Sequence, residues 1–380
     1  MPNQGHICIA ITKSNMGGAQ KYVLTLAKQL HMQGKKVTVL AGGDGILFDS
    51  LQEFGIPFIK LKNSERDISI FKEFKLAKEI YDILRKLKPS VLHLNSSKLG
   101  GTGSVIGRLA GVKKIIFTAH GWAFNEPRPT WQKVIFYILY WFTILASSKT
   151  ICVSKQTRSQ ISFLPFIKNK LEIIYNGIEV PDFIEQTTAK ENLASQFPQL
   201  DVTKKWIGVL AELHPVKGHD ILIEAISQTT PLLKNSYQII FLGSGQIEIE
   251  LKNKVSQKNL EEYVFFTGFV EKASHYLKAF ELVILPSRSE ALPLVVLEAG
   301  LAGTLLLTSN VGGIPEVIMD TKSGFLFERE NVSDLVKKLK MILVLSPSQK
   351  NEIAETLQQN ITDVFSLENM IRKTESVYNL

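Results

Sequence analysis

The sequence predicts a protein of the α/β class, built from two doubly wound parallel sheets in series. Three observations lead to this prediction. The chain has 380 residues, a length that accommodates two average domains. Short β-branched runs alternate with helical stretches along the chain, a pattern typical of parallel sheets with crossover helices. The strand–loop–helix alternation also starts again at Trp206, after a polar stretch from about Pro181 to Lys205.

The first half contains six segments that resemble buried strands, each followed by a loop and a helical pattern. They are Ile7–Ile11, Val37–Leu40, Phe58–Leu61, Val91–Asn95, Ile115–Thr118 and Thr150–Val153. A helix is expected from the glycine loop at Gly17 and Gly18 to about His31, and a long basic helix over Phe71–Leu87. Asn176-Gly177 indicates a turn.

The second half repeats this pattern with six further segments. They are Trp206–Ala211, Ile239–Leu242, Val264–Thr267, Leu282–Leu285, Leu305–Thr308 and Phe325–Phe327. We therefore expect one domain over 1–178 and a second over 179–360. The final helix, 361–380, is expected to pack back on the first domain, and a ligand cleft is expected between the domains.

Charge and composition exclude several function classes. Residues 1–178 carry a net charge of +15 and residues 179–380 a net charge of −7, so the two halves are expected to meet different partners. No nucleic-acid module accompanies the basic half, which argues against a nucleic-acid partner. Cys8 and Cys152 lie in apolar strands, which predicts buried thiols in a reducing compartment. No signal peptide, zinc motif or Asp-x-Asp metal motif is recognised.

Two glutamates in the run PSRSEALPLVVLEAG are the strongest functional signal. Glu290 lies in the loop after a predicted strand, and Glu298 lies about one turn inside the apolar helix that follows. The start of a helix offers free N–H groups to an anion, and carboxylates accept hydrogen bonds from sugar hydroxyls. A phosphate-bearing sugar fits both features. Two solvated surface glutamates are the simpler alternative, but the surrounding sequence is apolar, and buried carboxylates are rare without a partner or function.

The run VIFYILYWFTILA, residues 134–146, is apolar nearly all round. Its thirteen residues are too few to span a bilayer, which takes roughly 20. A core helix and a helix lying on a membrane surface are both compatible with it. Interfacial aromatic residues such as Trp131, together with Arg128 and Lys133, are typical of the second alternative.

Eight short motifs occur along the chain in the same order as in the retaining glycosyltransferases of family 4, so the sequence resembles that family. Its members have the GT-B architecture, with two Rossmann-like domains. The resemblance covers essentially the whole chain. The motifs are Gly17-Gly18, His120-Gly121, Tyr175-Asn176-Gly177-Ile178, His214-Pro215-Val216-Lys217-Gly218, Gly243-Ser244-Gly245, Phe266-Thr267-Gly268, the glutamate pair, and Val311-Gly312-Gly313-Ile314-Pro315-Glu316.

The resemblance implies roles for individual residues. It implies that Lys217 neutralises the donor diphosphate, that Glu290 holds the donor sugar and that Glu298 holds the ribose. His120 would contact the donor sugar, although a histidine at a strand end is often structural. The remaining donor contacts would come from backbone at Ala291, Leu292, Leu294 and Gly268, and at Gly17 and Gly18, unless these two only form a turn. Preorganised donors and a lysine stabilise the leaving diphosphate, so no metal or other cofactor is expected.

Two positions depart from the family pattern. Glu212 stands where the family usually has an arginine on the diphosphate. Either Glu212 turns away, or Arg288 or Lys13 compensates, or activity is lost. Ala291 stands where the family usually has glycine, which costs little unless φ is positive there.

The acceptor is expected on the first domain. The segment Gly121–Phe124, including Trp122, and the apolar run resemble bacterial members that extend polyprenyl-diphosphate-linked glycans. Trp122, Arg128, Trp131 and Lys133 are therefore expected at the acceptor or membrane surface. We predict a cytoplasmic enzyme, peripheral on the inner face of the cell membrane, that transfers a sugar from a nucleotide diphosphate sugar, most simply a UDP-sugar. A non-catalytic sugar-nucleotide-binding protein and a GT-B epimerase are the alternatives.

Overall fold

The computed structural model describes residues 5–64, 70–233 and 236–378 and divides the chain into two compact units. The first unit runs to Ile178 and includes the final helix, which starts at Leu367. The second unit is Glu179–Ser366. The α/β class and the doubly wound architecture predicted from the sequence are confirmed.

The first unit contains a parallel sheet of seven strands in the order β3-β2-β1-β4-β5-β6-β7. The strands are β1 (Ile7–Lys13), β2 (Val37–Gly42), β3 (Phe58–Leu61), β4 (Val91–Leu94), β5 (Lys114–Ala119), β6 (Lys149–Cys152) and β7 (Leu171–Ile173). Its helices are α1 (Gly18–Met32), α2 (Leu47–Glu53), α3 (Ile70–Leu87), α4 (Ser97–Leu109), α5 (Thr130–Ala146), α6 (Lys155–Ser159) and, at the end of the chain, α15 (Leu367–Tyr378).

Side-chain alternation along the strands produces two cores on opposite faces of this sheet. Ile7, Ile9 and Ile11 of β1 face α1, α2 and α15, whereas Cys8 and Ala10 face α3, α4 and α5. Both faces are therefore covered by helices, as expected for a parallel sheet. Both cysteines are buried and unbridged, and burial raises the pKa of each thiol to about 12.

The glycine-rich helix α4 packs closely against the sheet. Cβ atoms at Gly100, Gly103 and Gly107 would come within 2.7–2.8 Å of sheet side chains, including Phe117 and Leu94. These glycines recur at helical spacing on the face that is turned to the strands. The absence of a side chain at these glycines lets helix α4 lie close to the sheet.

The second unit contains a parallel sheet of six strands in the order β10-β9-β8-β11-β12-β13. The strands are β8 (Lys205–Leu210), β9 (Tyr237–Leu242), β10 (Val264–Gly268), β11 (Leu282–Leu285), β12 (Leu305–Ser309) and β13 (Phe325–Phe327). Its helices are α7 (Gln186–Gln196), α8 (His219–Ser227), α9 (Thr230–Leu233), α10 (Glu248–Gln257), α11 (Leu294–Leu301), α12 (Ile314–Val317), α13 (Val332–Leu343) and α14 (Pro347–Val364). Helices α8, α10 and α13 cover one core, and α14 packs on α11.

The predicted strands agree with the observed ones to within two residues at their ends. Strand β7 is the one strand of the described residues that was not predicted, because it has only three residues and one of them, Glu172, is charged, whereas the equally short β13 is wholly apolar. Helices α13 and α14 begin where asparagine or serine caps the first turn. Asn331 accepts from Asp334, and Ser346 forms a reciprocal capping box with Gln349.

Candidate active site

The candidate donor site lies at the carboxyl edge of the second sheet. Strands β8 and β11 are neighbours there, at the point where the strand order reverses, which is where ligands bind in doubly wound folds. The loop after β8 touches the loop after β11. Gly218 has φ +67°, and a Cβ there would lie 2.0 Å from the carbonyl oxygen of Pro286. The backbone N–H of Arg288 also donates to the Val216 carbonyl at 2.7 Å.

Lys217 and Glu290 form an ion pair across these two loops. Lys217 Nζ lies 2.7 Å from Glu290 Oε1, and the Ser287 hydroxyl donates to the same oxygen at 2.7 Å. The Glu290 side chain is only 9% exposed and that of Lys217 is 27% exposed. Two functional candidates that lie 73 residues apart are thus in direct contact. Both bonds use Oε1, so Oε2 remains as an acceptor for a ligand.

The loop that carries Glu290 is also held by the loop after β12. Gly313 N–H donates to the Ala291 carbonyl at 2.7 Å, and the Ser309 hydroxyl donates to the Ser287 carbonyl at 2.5 Å. Gly312 has φ +57°, and a Cβ there would lie 1.8 Å from the carbonyl oxygen of Glu290. The Glu290 backbone is therefore positioned before any ligand arrives.

Helix α11 starts directly after this loop. Its N-cap is Pro293, which gives no side-chain cap, so the N–H groups of the first turn are not satisfied by a capping side chain. Ala291, Leu292 and Leu294 are buried beside that end. Ala291 does not have a positive φ, so alanine fits where the family usually has glycine.

Glu298 lies inside α11, just over one turn from Leu294, and is 8% exposed. Burial of this carboxylate does not agree with the simpler alternative of two solvated surface glutamates. Gly268 ends β10, which is separated from β8 by β9. It has φ +70° and accepts a hydrogen bond from Gly243 N–H at 2.9 Å. Lys217, Glu290 and the residues 291–294 are therefore grouped at one place, and Gly268 lies two strands from β8.

Arg288 is committed to other partners. Its guanidinium donates to both Asp220 oxygens at 2.9 and 2.7 Å, to the Pro215 carbonyl at 2.6 Å and to Glu330 at 3.0 Å. The hydrogen bonds that the guanidinium donates to Asp220 raise the pKa of Arg288 above its ordinary value. Arg288 holds the loop that carries Lys217, and the structure does not leave it free for a diphosphate. The sequence contained no signal for this role, since Asp220 lies 68 positions away.

Glu212 is exposed, and its carboxylate makes no ion pair within the ranges that the structure describes. Of the two cations proposed to compensate for Glu212, Arg288 is held by Asp220 and Glu330. Lys13, the other proposed substitute, is an exposed residue at the end of β1 in the first unit.

The first unit places His120 at the carboxyl end of β5. Its Nε2 lies 3.2 Å from Asn95 Oδ1, and its ring meets Tyr22 edge-on at 4.8 Å between centroids. Burial lowers the pKa of His120 to about 4, so the ring is neutral near pH 7. If Asn95 accepts from Nε2–H, Nδ1 is the acceptor nitrogen left for a ligand hydroxyl.

Gly17 and Gly18 lie at the start of α1. Gly17 is its N-cap, provides no side-chain cap and has φ −147°, which any residue can adopt. A Cβ at Gly18 would meet no atom within 4 Å. Neither glycine is required by backbone conformation, and a Cβ at Gly17 would lie 3.0 Å from Gln20 Oε1, so the open space at this helix terminus is at Gly18.

Four residues were expected at an acceptor or membrane surface. Trp122 does not lie there, because it is 3% exposed and its indole N–H donates to the Thr157 carbonyl at 2.8 Å. Its aromatic size stabilises the core beside α5. Arg128 pairs with Glu126 at 2.6 Å and lies over the Phe136 ring. Trp131 is 63% exposed, and Lys133 is partly buried on the first turn of α5.

No group of three or more His, Cys, Asp or Glu side chains suited to a metal ion occurs in residues 5–64, 70–233 and 236–378. Over the same ranges, every helix falls short of the length and apolar character needed to cross a bilayer.

Two glycosyltransferases are similar to this chain over most of its length. A galactosyltransferase of Escherichia coli, UDP-Gal:alpha-D-GlcNAc-diphosphoundecaprenol alpha-1,3-galactosyltransferase, is 26% identical over 336 residues, which are 87% of this chain and 84% of the relative. The GPI3 subunit of phosphatidylinositol N-acetylglucosaminyltransferase from Saccharomyces cerevisiae is 22% identical over 96% of this chain and 80% of its own.

Solved structures share the fold. Anabaena Alr3699/HepE, in complex with UDP and glucose, superimposes with a TM-score of 0.85 at 19% identity over 99% of this chain and 100% of its own. Sucrose-phosphate synthase from Thermosynechococcus elongatus gives a TM-score of 0.81 at 17% identity, with coverage of 99% and 98%.

Two family models cover the two units in turn. The model described as Glycosyltransferase Family 4 matches residues 16–181, and the model described as Glycosyl transferases group 1 matches residues 191–360. The motifs, the fold and these matches agree. The chain belongs to the family 4, group 1 glycosyltransferases, and its fold is GT-B.

Proposed function

We propose that this chain is a retaining, metal-independent glycosyltransferase that moves a sugar from a UDP-sugar to a polyprenyl-diphosphate-linked glycan in bacterial polysaccharide synthesis. The observation that carries the proposal is the cluster of Lys217, Ser287 and Glu290 beside the uncapped start of α11. The names of the relatives support the donor and acceptor classes.

Lys217 suits a diphosphate. An ammonium has three N–H groups, and one of them points to Glu290, which leaves two for phosphate oxygens. The N–H groups at the start of α11 supply further donors without reorganisation. Negative charge grows on the diphosphate as the sugar leaves, and these groups stabilise that charge.

Glu290 and Glu298 suit the neutral parts of the donor. Glu290 Oε2 accepts a hydroxyl of the sugar, and Glu298 accepts from the ribose. The acceptor hydroxyl attacks the anomeric carbon from the face that the diphosphate leaves, and its proton passes to the departing phosphate oxygen. The bond from carbon to the acceptor oxygen forms on the same face from which the bond to the phosphate oxygen breaks, so configuration is retained. Neutral His120 orients the donor sugar in this scheme.

The Glu290→Gln variant tests this assignment. We expect kcat to fall by about 10²- to 10³-fold, the usual effect of losing one preorganised group, with UDP-sugar affinity within a few fold of wild type. Glu224→Gln is the control, since Glu224 also pairs with a lysine, Lys258 at 3.0 Å, but lies on α8. Full activity of Glu290→Gln with a lipid-linked acceptor would refute the role of Glu290.

A sugar-nucleotide-binding protein without catalysis is the second candidate, and Glu212 is the observation that favours it. A carboxylate in place of the usual arginine removes one positive charge from the diphosphate site. Glu212→Arg distinguishes the two functions. If the wild type binds UDP-sugar, transfers nothing to any lipid-linked acceptor, and gains transfer in Glu212→Arg, the binding protein is the correct assignment. An epimerase would instead convert the UDP-sugar without any acceptor.

The proposed acceptor requires contact with a membrane, and α5 offers a surface for it. Six large apolar side chains of this helix are between 46% and 63% exposed. They are Trp131, Val134, Ile135, Ile138, Leu139 and Phe142. The buried side of α5 includes Tyr140 and Ile144, so the core-helix alternative accounts for only one side of the helix. The protein would lie on the inner face of the cell membrane through this side.

Flotation with vesicles tests the membrane contact. We expect binding to anionic vesicles that weakens as salt rises, because the basic first unit adds roughly 1 kcal/mol for each lysine or arginine near an anionic surface. Trp131→Ser should reduce flotation. Met32→Ser is the control, since Met32 is 70% exposed on α1, which packs on the opposite sheet face. Protein that remains unbound at low salt would rule out this contact.

A further inference from the structure

An apolar groove lies along the exposed side of α5. It has a volume of about 280 Å³ and is lined by Val134, Tyr137, Ile138, Trp141, Phe163 and Leu164, all aliphatic or aromatic. The four helical residues follow the spacing i, i+3, i+4, i+7, so they form one continuous stripe.

The second wall of the groove is a turn that the structure holds in place. The Trp141 indole N–H donates to the Pro165 carbonyl at 2.9 Å, and the Phe163 ring meets Tyr137 at 5.8 Å between centroids. Tyr137 in turn stacks on the buried ring of Phe124, with 3.9 Å between the ring centroids. Three of the residues that line the groove are therefore held by contacts within the first unit.

This turn exposes aromatic surface at an energetic cost. Phe163 is 69% exposed and Phe166 is 86% exposed. Phe166 also has φ +63°, a conformation that L-residues other than asparagine and aspartate rarely adopt. Exposed aromatic residues on a strained turn are typical of a binding surface.

Charge around the groove identifies the chemistry of its occupant. Residues 121–170 hold seven lysines or arginines and a single acidic residue, Glu126. Within α5 the only charge is Lys133, on the first turn, immediately before the stripe begins at Val134. A hydrocarbon groove with a cation at one end fits an amphiphile that has an anionic head and an apolar chain.

We propose that this groove binds the isoprenoid chain of the lipid-diphosphate acceptor, with the diphosphate at the Lys133 end and the chain running toward Trp141. The inference rests on the proposed function, because the acceptor class comes from it. A volume below the usual 300–1,000 Å³ of small-molecule sites means that the groove holds the first isoprene units and not the whole chain. The rest of the chain stays in the bilayer.

The binding of farnesyl diphosphate, a short isoprenoid diphosphate, tests the groove without any transfer reaction. The probe is titrated into the full-length protein and followed by calorimetry, with inorganic pyrophosphate as the head-group control. Ile138→Lys and Ile135→Lys form a matched pair, since both isoleucines are 46% exposed on α5 but only Ile138 lines the groove. Phe163→Ser and Phe166→Ser form a second pair, of which only Phe163 lines the groove.

We expect the wild type to bind farnesyl diphosphate at least about tenfold more tightly than pyrophosphate, a difference of about 1.4 kcal/mol. Ile138→Lys and Phe163→Ser should lose that advantage, and their matched controls should keep it. Equal losses in both members of each pair would show a general apolar surface and overturn the proposal. So would equal binding of the probe and pyrophosphate, or a concentration-dependent dimer that Ile138→Lys abolishes. An active enzyme with no probe binding separates failure of the groove from failure of the proposed function.

Discussion

Glu290 is positioned by groups from three different loops. Lys217 comes from the loop after β8, Ser287 from its own loop, and Gly312 from the loop after β12. Such convergence holds a nearly buried carboxylate in one orientation before the donor binds. An uncompensated buried carboxylate would be costly, so each contact contributes to the fold as well as to the site.

Gly312→Ala tests whether this backbone contact positions Glu290. We expect it to lower the free energy of unfolding by several kcal/mol, since its Cβ would lie 1.8 Å from a backbone oxygen that cannot rotate away. Gly303→Ala is the matched control. Gly303 has φ +71° but no atom within 4 Å of its Cβ position, so only the backbone cost of about 1–2 kcal/mol applies. Denaturant unfolding measures both, and equal losses would contradict the contact.

Individual helices show which features follow from sequence periodicity. The apolar run in α5 predicted a helix, and the structure confirms it. The sequence did not predict which side of α5 faces solvent, because an all-apolar run has no polar side. Trp122 was misplaced for a related reason: aromatic residues suit both a membrane interface and a core, and only the Thr157 partner shows which one applies.

Some residues of the candidate site could be predicted from the sequence and others could not. Glu290 and Glu298 were candidates because two carboxylates stand in an otherwise apolar run, whereas Lys217 became a candidate only through the family resemblance. The partners that hold these motifs, Asp220 and Arg288, have no local signal, because a contact across 68 positions depends on which strands are neighbours. The sequence predicts strands well but does not specify their order in the sheet.

The close packing of helix α4 can be tested by mutation, because two adjacent glycines have different surroundings. Gly100→Ala should destabilise the first unit, since its Cβ would lie 2.7 Å from the buried ring of Phe117. Gly101→Ala should stabilise it by up to about 1 kcal/mol through helix propensity, since its Cβ lies 3.8 Å from the nearest atom, Thr143 Oγ1. Thermal unfolding of the two variants should shift in opposite directions, and shifts of the same sign would contradict the close packing of α4.

At the scale of the whole molecule, both units bury histidines in a neutral form. Burial lowers the pKa of His93 to about 3, and that of His120 and His219 to about 4. His93 bonds to Tyr378 of α15 at 2.5 Å and to Thr118 at 2.6 Å. The final helix therefore contacts the first sheet through a buried polar network as well as through its apolar face.

These histidines predict how stability depends on pH. Their folded pKa values lie below the ordinary 6.5, so the unfolded chain binds protons first as the pH falls. Their contribution is constant above about pH 6.5 and is lost as the pH falls towards 4, at up to about 1.4 kcal/mol per pH unit for each histidine. Urea unfolding between pH 8 and pH 4 measures this slope. His93→Gln should reduce the number of protons taken up on unfolding by about one, and with it the slope. An unchanged slope would show that His93 does not titrate as described.

The two units also differ in net charge, +15 up to residue 178 and −7 beyond it. The acidic unit contains Lys217, Glu290 and Glu298, and it is the unit that binds the donor in the proposed function. An acidic unit binds a diphosphate only if local donors outweigh its overall charge, so the assignment depends on Lys217 and the start of α11.

A crystal structure of the protein with a bound UDP-sugar tests this claim most directly. We predict that the diphosphate lies within hydrogen-bond distance of Lys217 Nζ and of the first N–H groups of α11, with the sugar hydroxyls on Glu290 and the ribose on Glu298. A donor bound elsewhere, with the 2.7 Å pair of Lys217 and Glu290 undisturbed, would contradict the account.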